Sequence, residues 1–254
     1  MLGRSCCFLL VLLLAALATS GCASTSSGDT TYRVNAPDQA TDKLVRRELW
    51  RVSRAIEDVR VSYGLRDIDV EVIVTDLDGL GAATPQLTPR AEVRGARLVL
   101  NYRLFTDDHP ELDLVLHGLA AHELAHALHY ANMSTADLAE LGLRYDKAMR
   151  KAPDADRPWV RAYEQLTDMT AIALGYGDQL IWQKRASAEN LARNDPPFVW
   201  DFYLTEEEIR SLNSNRDLLT DQVTAALDTL KLPSLRRLRE RIALDEEGDV
   251  IIRR

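Results

Sequence analysis

From Thr41 to Gly64 the apolar residues Val45, Leu49, Val52, Ile56 and Val59 recur at alternating spacings of four and three. This predicts an amphipathic helix with one buried stripe, closed by the glycine. "DIDVEVIVTD" then sets Ile68, Val70, Val72 and Val74 against Asp67, Asp69, Glu71 and Ile73, the period-two pattern of a half-buried strand. "DLDGLGAATPQLTPR" reads as a Gly/Pro-rich loop. Asp76 and Asp78 in it lack the later ligand positions of a calcium loop. "RLVLNYRLF" from Arg97 is β-branched and aromatic enough for a second strand. Beyond Asp108 and Pro110, "ELDLVLHGLAAHELAHALHYANM" stays apolar on most sides, with Gly118 its one breaker, and predicts a long buried helix. Ser134 to Asp137 can cap a further helix to about Lys151. A loop "APDADRP" and a helix from Trp159 to Leu174, stopping at "GYG", follow. The remainder reads as helical pieces broken at "NDPPF" and "KLP", with a cap at Thr205 before three glutamates and a hairpin around "DEEGD". The fold class is therefore α+β, mostly helical, with a small sheet preceding the histidine-rich helix.

The N-terminus follows a different rule. Arg4 precedes an apolar run, Phe8 to Ala18, that is short for a permanent membrane span and reads as an export signal over residues 1–21. It ends in Thr19-Ser20-Gly21-Cys22, which resembles a bacterial lipobox with Thr19 where leucine is usual. This implies lipidation of Cys22, against a plain cleaved signal or an uncleaved anchor. Residues 22–40 are small and polar, as a lipidated cysteine and flexible tether would be, so the domain is expected over 41–254. Ala23, where sorting to the inner membrane commonly shows Asp, points to the outer membrane facing the periplasm.

All three cysteines, Cys6, Cys7 and Cys22, lie in this leader, which leaves the mature chain no thiol for a disulfide, a thiolate metal site or a cysteine nucleophile. With 31 Lys+Arg against 39 Asp+Glu the chain is acidic. It has no basic footprint for nucleic acid, which is excluded as a partner.

The chemistry concentrates in "HELAH", His122, Glu123 and His126. Residues four apart share a helix face, so both imidazoles can reach one metal ion with Glu123 beside it as a base. A zinc ion there would activate water and polarise a scissile carbonyl, with Glu123 passing the proton to the leaving amine. The plain alternative is a histidine-rich core helix with a surface glutamate. His129 sits on the same face, but about 10 Å along the axis from His122, too far to share the ion. It is expected in the core or behind the ligands, with His117 on another face and His109 at a helix start. Zinc in hydrolases usually takes three protein ligands, and with no histidine beyond His129 the third should be a carboxylate. Glu164 and Asp168, four apart in "WVRAYEQLTDMTAIALGYG", are the best placed, because like charges at that spacing repel unless each faces a cation. A solvated acidic face is the other reading, with Glu140 or Asp168 itself as substitute ligands.

Together, "HELAH" and "EQLTDMTAIALGYG" resemble the gluzincin metallopeptidases, and among them the M48-type envelope peptidases. Their motif helix is followed by a helix carrying E-x-x-x-D. Thr167 stands where that family usually has Ala, and the gap between the two motifs is shorter. The resemblance implies a zincin-like α+β domain with one zinc per chain, bound by His122, His126 and Glu164, and with Asp168 orienting His122. It also implies that "RGARLVLNYR" is an edge strand pairing with an extended peptide. Tyr163, Tyr176 or an arginine would stabilise the transition state. The function so implied is zinc-dependent hydrolysis of protein or peptide substrates in the cell envelope, by a lipoprotein held to the membrane by its N-terminal lipid. Two rivals are a non-catalytic binding or assembly lipoprotein with a structural metal site, and a zinc hydrolase of a non-peptide envelope bond.

Overall fold

A computed structural model describes residues 28–77, 79–107, 109, 111–150, 153–194, 202–244 and 250–252. The signal expected over 1–21, the lipidation site Cys22, Asp78, Asp108, Pro110 and the break at 195–198 lie outside these residues. The architecture is α+β, 66% helical, with a four-stranded mixed sheet.

The sheet is built from β1 (Thr30–Val34), β2 (Asp69–Thr75), β3 (Gly81–Leu87) and β4 (Val93–Asn101), in the order β1-β2-β4-β3. Both neighbours of β2 run parallel to it, whereas β3 lies antiparallel to β4 on the outer edge. Val70, Val72 and Val74 are buried, as alternation dictates, and helix α1 (Gln39–Ser62) covers that face with Val45, Val52, Ile56 and Val59.

Three expectations are corrected here. The tether expected over 22–40 does not hold for its second half, because residues 30–34 pair with β2 from Thr30↔Val70 to Val34↔Val74, and Asp38 caps α1 by accepting from the Thr41 amide at 2.8 Å. The segment read as a Gly/Pro loop contains β3, whose Pro85 is tolerable because an edge strand can forgo one ladder donor. The strand expected from Arg97 begins at Val93 and sits inside the sheet, while its tail coils into the short helix α2 (Arg103–Thr106).

Helix α3 (Leu112–Asn132) runs through the middle of the molecule, packed against α1, β3 and β4. Helices α5 (Pro153–Ala173) and α6 (Gly177–Asn194) also pack against it, and α4 (Thr135–Arg150) connects α3 to α5. Being apolar nearly all round, α3 must be enclosed on every side. Gly118 permits this: a side chain there would come within 2.1 Å of the Gln179 carbonyl oxygen on α6. Helix α5 begins six residues before the expected Trp159. Pro153, with its fixed φ, opens it, and Gly175 at φ +91° closes the turn behind it. Helices α7 (Glu206–Ser214), α8 (Arg216–Leu230) and α9 (Pro233–Arg241) complete the helical part. A capping box at Thr205 and Glu208 starts α7. At the C-terminal end β5 (Ile242–Leu244) pairs antiparallel with β6 (Val250–Ile252), and residues 245–249, around which the hairpin is expected, lie outside the described residues. Among the described residues no helix is long and apolar enough to cross a membrane.

Candidate metal centre

Helices α3 and α5 bring His122, His126 and Glu164 together, with one potential ligand atom of each within 4.8 Å of the others. Glu164 Oε2 lies 3.3 Å from His122 Nε2 and 3.4 Å from His126 Nε2, and all three side chains are buried. That oxygen is shut off from water and makes a directed hydrogen bond with neither ring. A buried carboxylate oxygen facing two imidazoles is matched either by a protonated ring or by a cation held among the three side chains. At zinc-type bond lengths two ligands of a tetrahedral ion stand about 3.3–3.6 Å apart, and both separations fall in that range. The group can therefore hold a metal ion.

The opposite nitrogens of the two rings are held from behind. His122 Nδ1 lies 2.8 Å from Asp168 Oδ1, so the ring carries a proton there and turns Nε2 toward Glu164. His126 Nδ1 lies 3.4 Å from both the Tyr163 hydroxyl and Thr167 Oγ1. Thr167, noted in the sequence only as a departure, thus lies behind the second imidazole much as Asp168 lies behind the first. Asp168 is wholly buried. Besides His122 it takes the Lys184 ammonium at 2.8 Å on Oδ1 and the Leu204 amide at 3.1 Å on Oδ2.

Charge follows these contacts. Burial opposes protonation of His122, but the hydrogen bond and charge of Asp168, together with Glu164, outweigh it and push the imidazole up to about 9. Burial likewise opposes ionisation of Glu164, yet the two histidines hold its carboxyl well below the usual range. For Asp168 burial is overcome by the Lys184 ammonium and His122, which keep it ionised. Glu123 faces the sheet side of α3, where burial raises its carboxyl above the ordinary value. It touches β3 closely: a side chain at Gly81 would come within 2.9 Å of Glu123 Oε1.

His129 and His117 take the places expected of them, whereas His109, expected at a helix start, precedes the Glu111 cap of α3. His129 Nε2 meets Thr170 Oγ1 at 3.0 Å, and burial pushes the ring down to about 3, so it is a neutral core residue. His117 bridges the Asp113 carbonyl and Asp58, and His109 lies 4.0 Å from Glu189. Glu140 pairs with Arg144 and is not a ligand.

Of the candidates for a transition-state stabiliser, Tyr163, Tyr176 or an arginine, neither tyrosine faces the open side of the His122, His126 and Glu164 group. Tyr163 stands behind His126, on the side away from Glu164, stacked on Trp159. Tyr176 reaches the Asp58 carbonyl on α1 at 3.4 Å. Tyr203 lies beside the group instead. Its ring packs 5.5 Å from that of His122 and 4.4 Å from the Lys184 ammonium. Burial and the charges of Glu164, Glu123 and Asp168 hold its phenol protonated. Nothing in the local sequence around Tyr203 or Lys184 marks either residue, because each reaches the site from a separate element.

No protein-family model, curated protein or solved structure matches the chain.

Proposed function

We propose that this chain is a zinc metallopeptidase of the gluzincin type, M48-like in its motifs, held in the bacterial cell envelope by a lipid on Cys22. The observation that carries the reading is the placement of Glu164 Oε2 within 3.4 Å of both motif histidines, with Asp168 behind His122 and Glu123 one residue along the helix. His122, His126 and Glu164 would hold zinc, one ion per chain. When bound, zinc lowers the pKa of a coordinated water and polarises a substrate carbonyl.

Glu123 takes the proton from the attacking water and returns it to the leaving amine, a task suited to a carboxyl whose affinity for protons burial has raised. Tyr203, whose ring packs 5.5 Å from that of His122, donates from its phenol to the oxygen on which negative charge develops, the role expected of Tyr163, Tyr176 or an arginine. The free edge of β3 is the site for an extended protein or peptide substrate. Strand addition there supplies backbone hydrogen bonds, and Gly81 lets the strand approach Glu123. The lipid anchor and an outer-membrane location facing the periplasm rest on Arg4, the Phe8 to Ala18 run and the Thr19 to Cys22 box.

One observation favours a second reading, a binding or assembly lipoprotein with a structural metal site: His122, Glu123, His126 and Glu164 are each at most 6% exposed. Glu123→Gln separates the two. A peptidase keeps its zinc and loses peptide-library cleavage on this change. A structural site keeps both its zinc and full function in the cell.

A further inference from the structure

Lys184 is 6% exposed, and its ammonium is directed inward from α6 at Asp168 Oδ1, 2.8 Å away, on a carboxylate with no exposure at all. A lysine is seldom withdrawn from water unless its charge is matched. Here the match is with a residue outside the His122, His126 and Glu164 group. The same ammonium lies 4.4 Å from the Tyr203 ring centre, and the next residue, Leu204, gives its amide to the other Asp168 oxygen. Asp168 thus ties together α3 through His122, α6 through Lys184 and the 202–204 segment through Leu204.

We propose that Lys184 is a positioning residue of the metal centre. By fixing the Asp168 carboxylate and the ring of Tyr203, it aims His122 Nε2 at the site shared with His126 and Glu164. The charge count agrees, since Glu123, Glu164 and Asp168 carry three carboxylates into one buried region, and an ammonium with a divalent ion offsets them. A purely electrostatic role would have the opposite effect on the ion. An ammonium close by repels a divalent cation, so deleting it should tighten metal binding, whereas loss of a positioning contact should loosen it. The inference rests on the metal-centre part of the function proposed above and not on the identity of a substrate.

A double-mutant cycle on zinc affinity tests it, using the full folded chain with zinc alone as the probe and a competing chelator as the reference. Lys184→Met should weaken zinc binding roughly 10-fold, the scale of losses seen when groups behind a ligand are removed. In an Asp168→Asn background the same change should have little further effect, because Lys184 acts through Asp168. The double variant carries no uncompensated charge at this spot, which keeps the cycle readable if Lys184→Met alone folds poorly. The cobalt-loaded Lys184→Met protein should show an altered visible absorption band relative to wild type. Unchanged or tighter zinc binding with an unchanged cobalt spectrum, or additive effects around the cycle, would overturn the inference. A wild-type chain that binds no zinc would instead sink the reading of the site on which it rests.

Discussion

Asp168 Oδ1 lies 2.8 Å from His122 Nδ1, across the contact between helices α3 and α5. This bond fixes which nitrogen of His122 faces Glu164, so Asp168→Asn should weaken zinc binding without abolishing it, by about 10- to 100-fold. Chelator competition on the purified protein measures this, and an affinity equal to wild type would mean that His122 does not depend on Asp168 for its orientation.

Gly81 and Glu123 meet more closely than any side chain would allow. In Gly81→Ala the new carbon would come within 2.7 Å of Leu119 Cδ1 and 2.9 Å of Glu123 Oε1, and both side chains must yield. Zinc content should stay at the wild-type value while peptide cleavage falls by about 100-fold, the cost of an ångström-scale misplacement of a reacting group. Loss of zinc along with activity would show that the contact supports the whole centre rather than the base.

His122 gives the metal-free protein a pH dependence with a defined sign. Its folded pKa is raised from 6.5 to about 9. The stabilisation is therefore complete below pH 6.5 and disappears as the pH rises through about 9. Zinc requires the neutral ring, so loading the site within that window releases the proton. The melting temperature of the metal-free protein should fall between these limits. Calorimetric zinc titrations near neutral pH should give heats that change with the ionisation enthalpy of the buffer. Buffer-independent heats would rule out a protonated His122 in the empty site.

Thr205 accepts from the Glu208 amide while Glu208 reaches back to the Thr205 amide, a reciprocal cap at the start of α7. Thr205→Ala should lower unfolding stability by about 1 kcal/mol. This is measurable as a shift in the urea midpoint at constant slope, and an unchanged midpoint would mean that α7 frays in the native protein.

The parts of the molecule legible in the sequence are those whose signal is periodic and local. Val70, Val72 and Val74 announce β2, and His122 and His126 declare their shared face by a spacing of four. Glu164 and Asp168 stand out because two carboxylates at that spacing repel mildly on a largely apolar helix unless each faces a cation. Strand β3 was hidden because "GAATPQL" has few β-branched residues and a proline, and its strand character comes from pairing with β4. Strand β1 was hidden for a related reason. "TTYRV" is five residues at an edge, with Thr31 and Arg33 exposed, in a polar stretch that resembles a tether. Tyr203 and Lys184 carry no motif at all. Their relation to His122 exists only after α6 and the 202–204 segment fold against α5, and the same tertiary fact turns Tyr163 and Tyr176 away from the site expected of them.

The most direct test is zinc stoichiometry of the purified chain beside Glu164→Ala, read by elemental analysis after removal of loose metal. We predict one zinc per wild-type chain and loss of tightly bound zinc from the folded variant. A metal-free wild type, or a Glu164→Ala protein that keeps its zinc at full affinity, would contradict the assignment of His122, His126 and Glu164 as the metal centre.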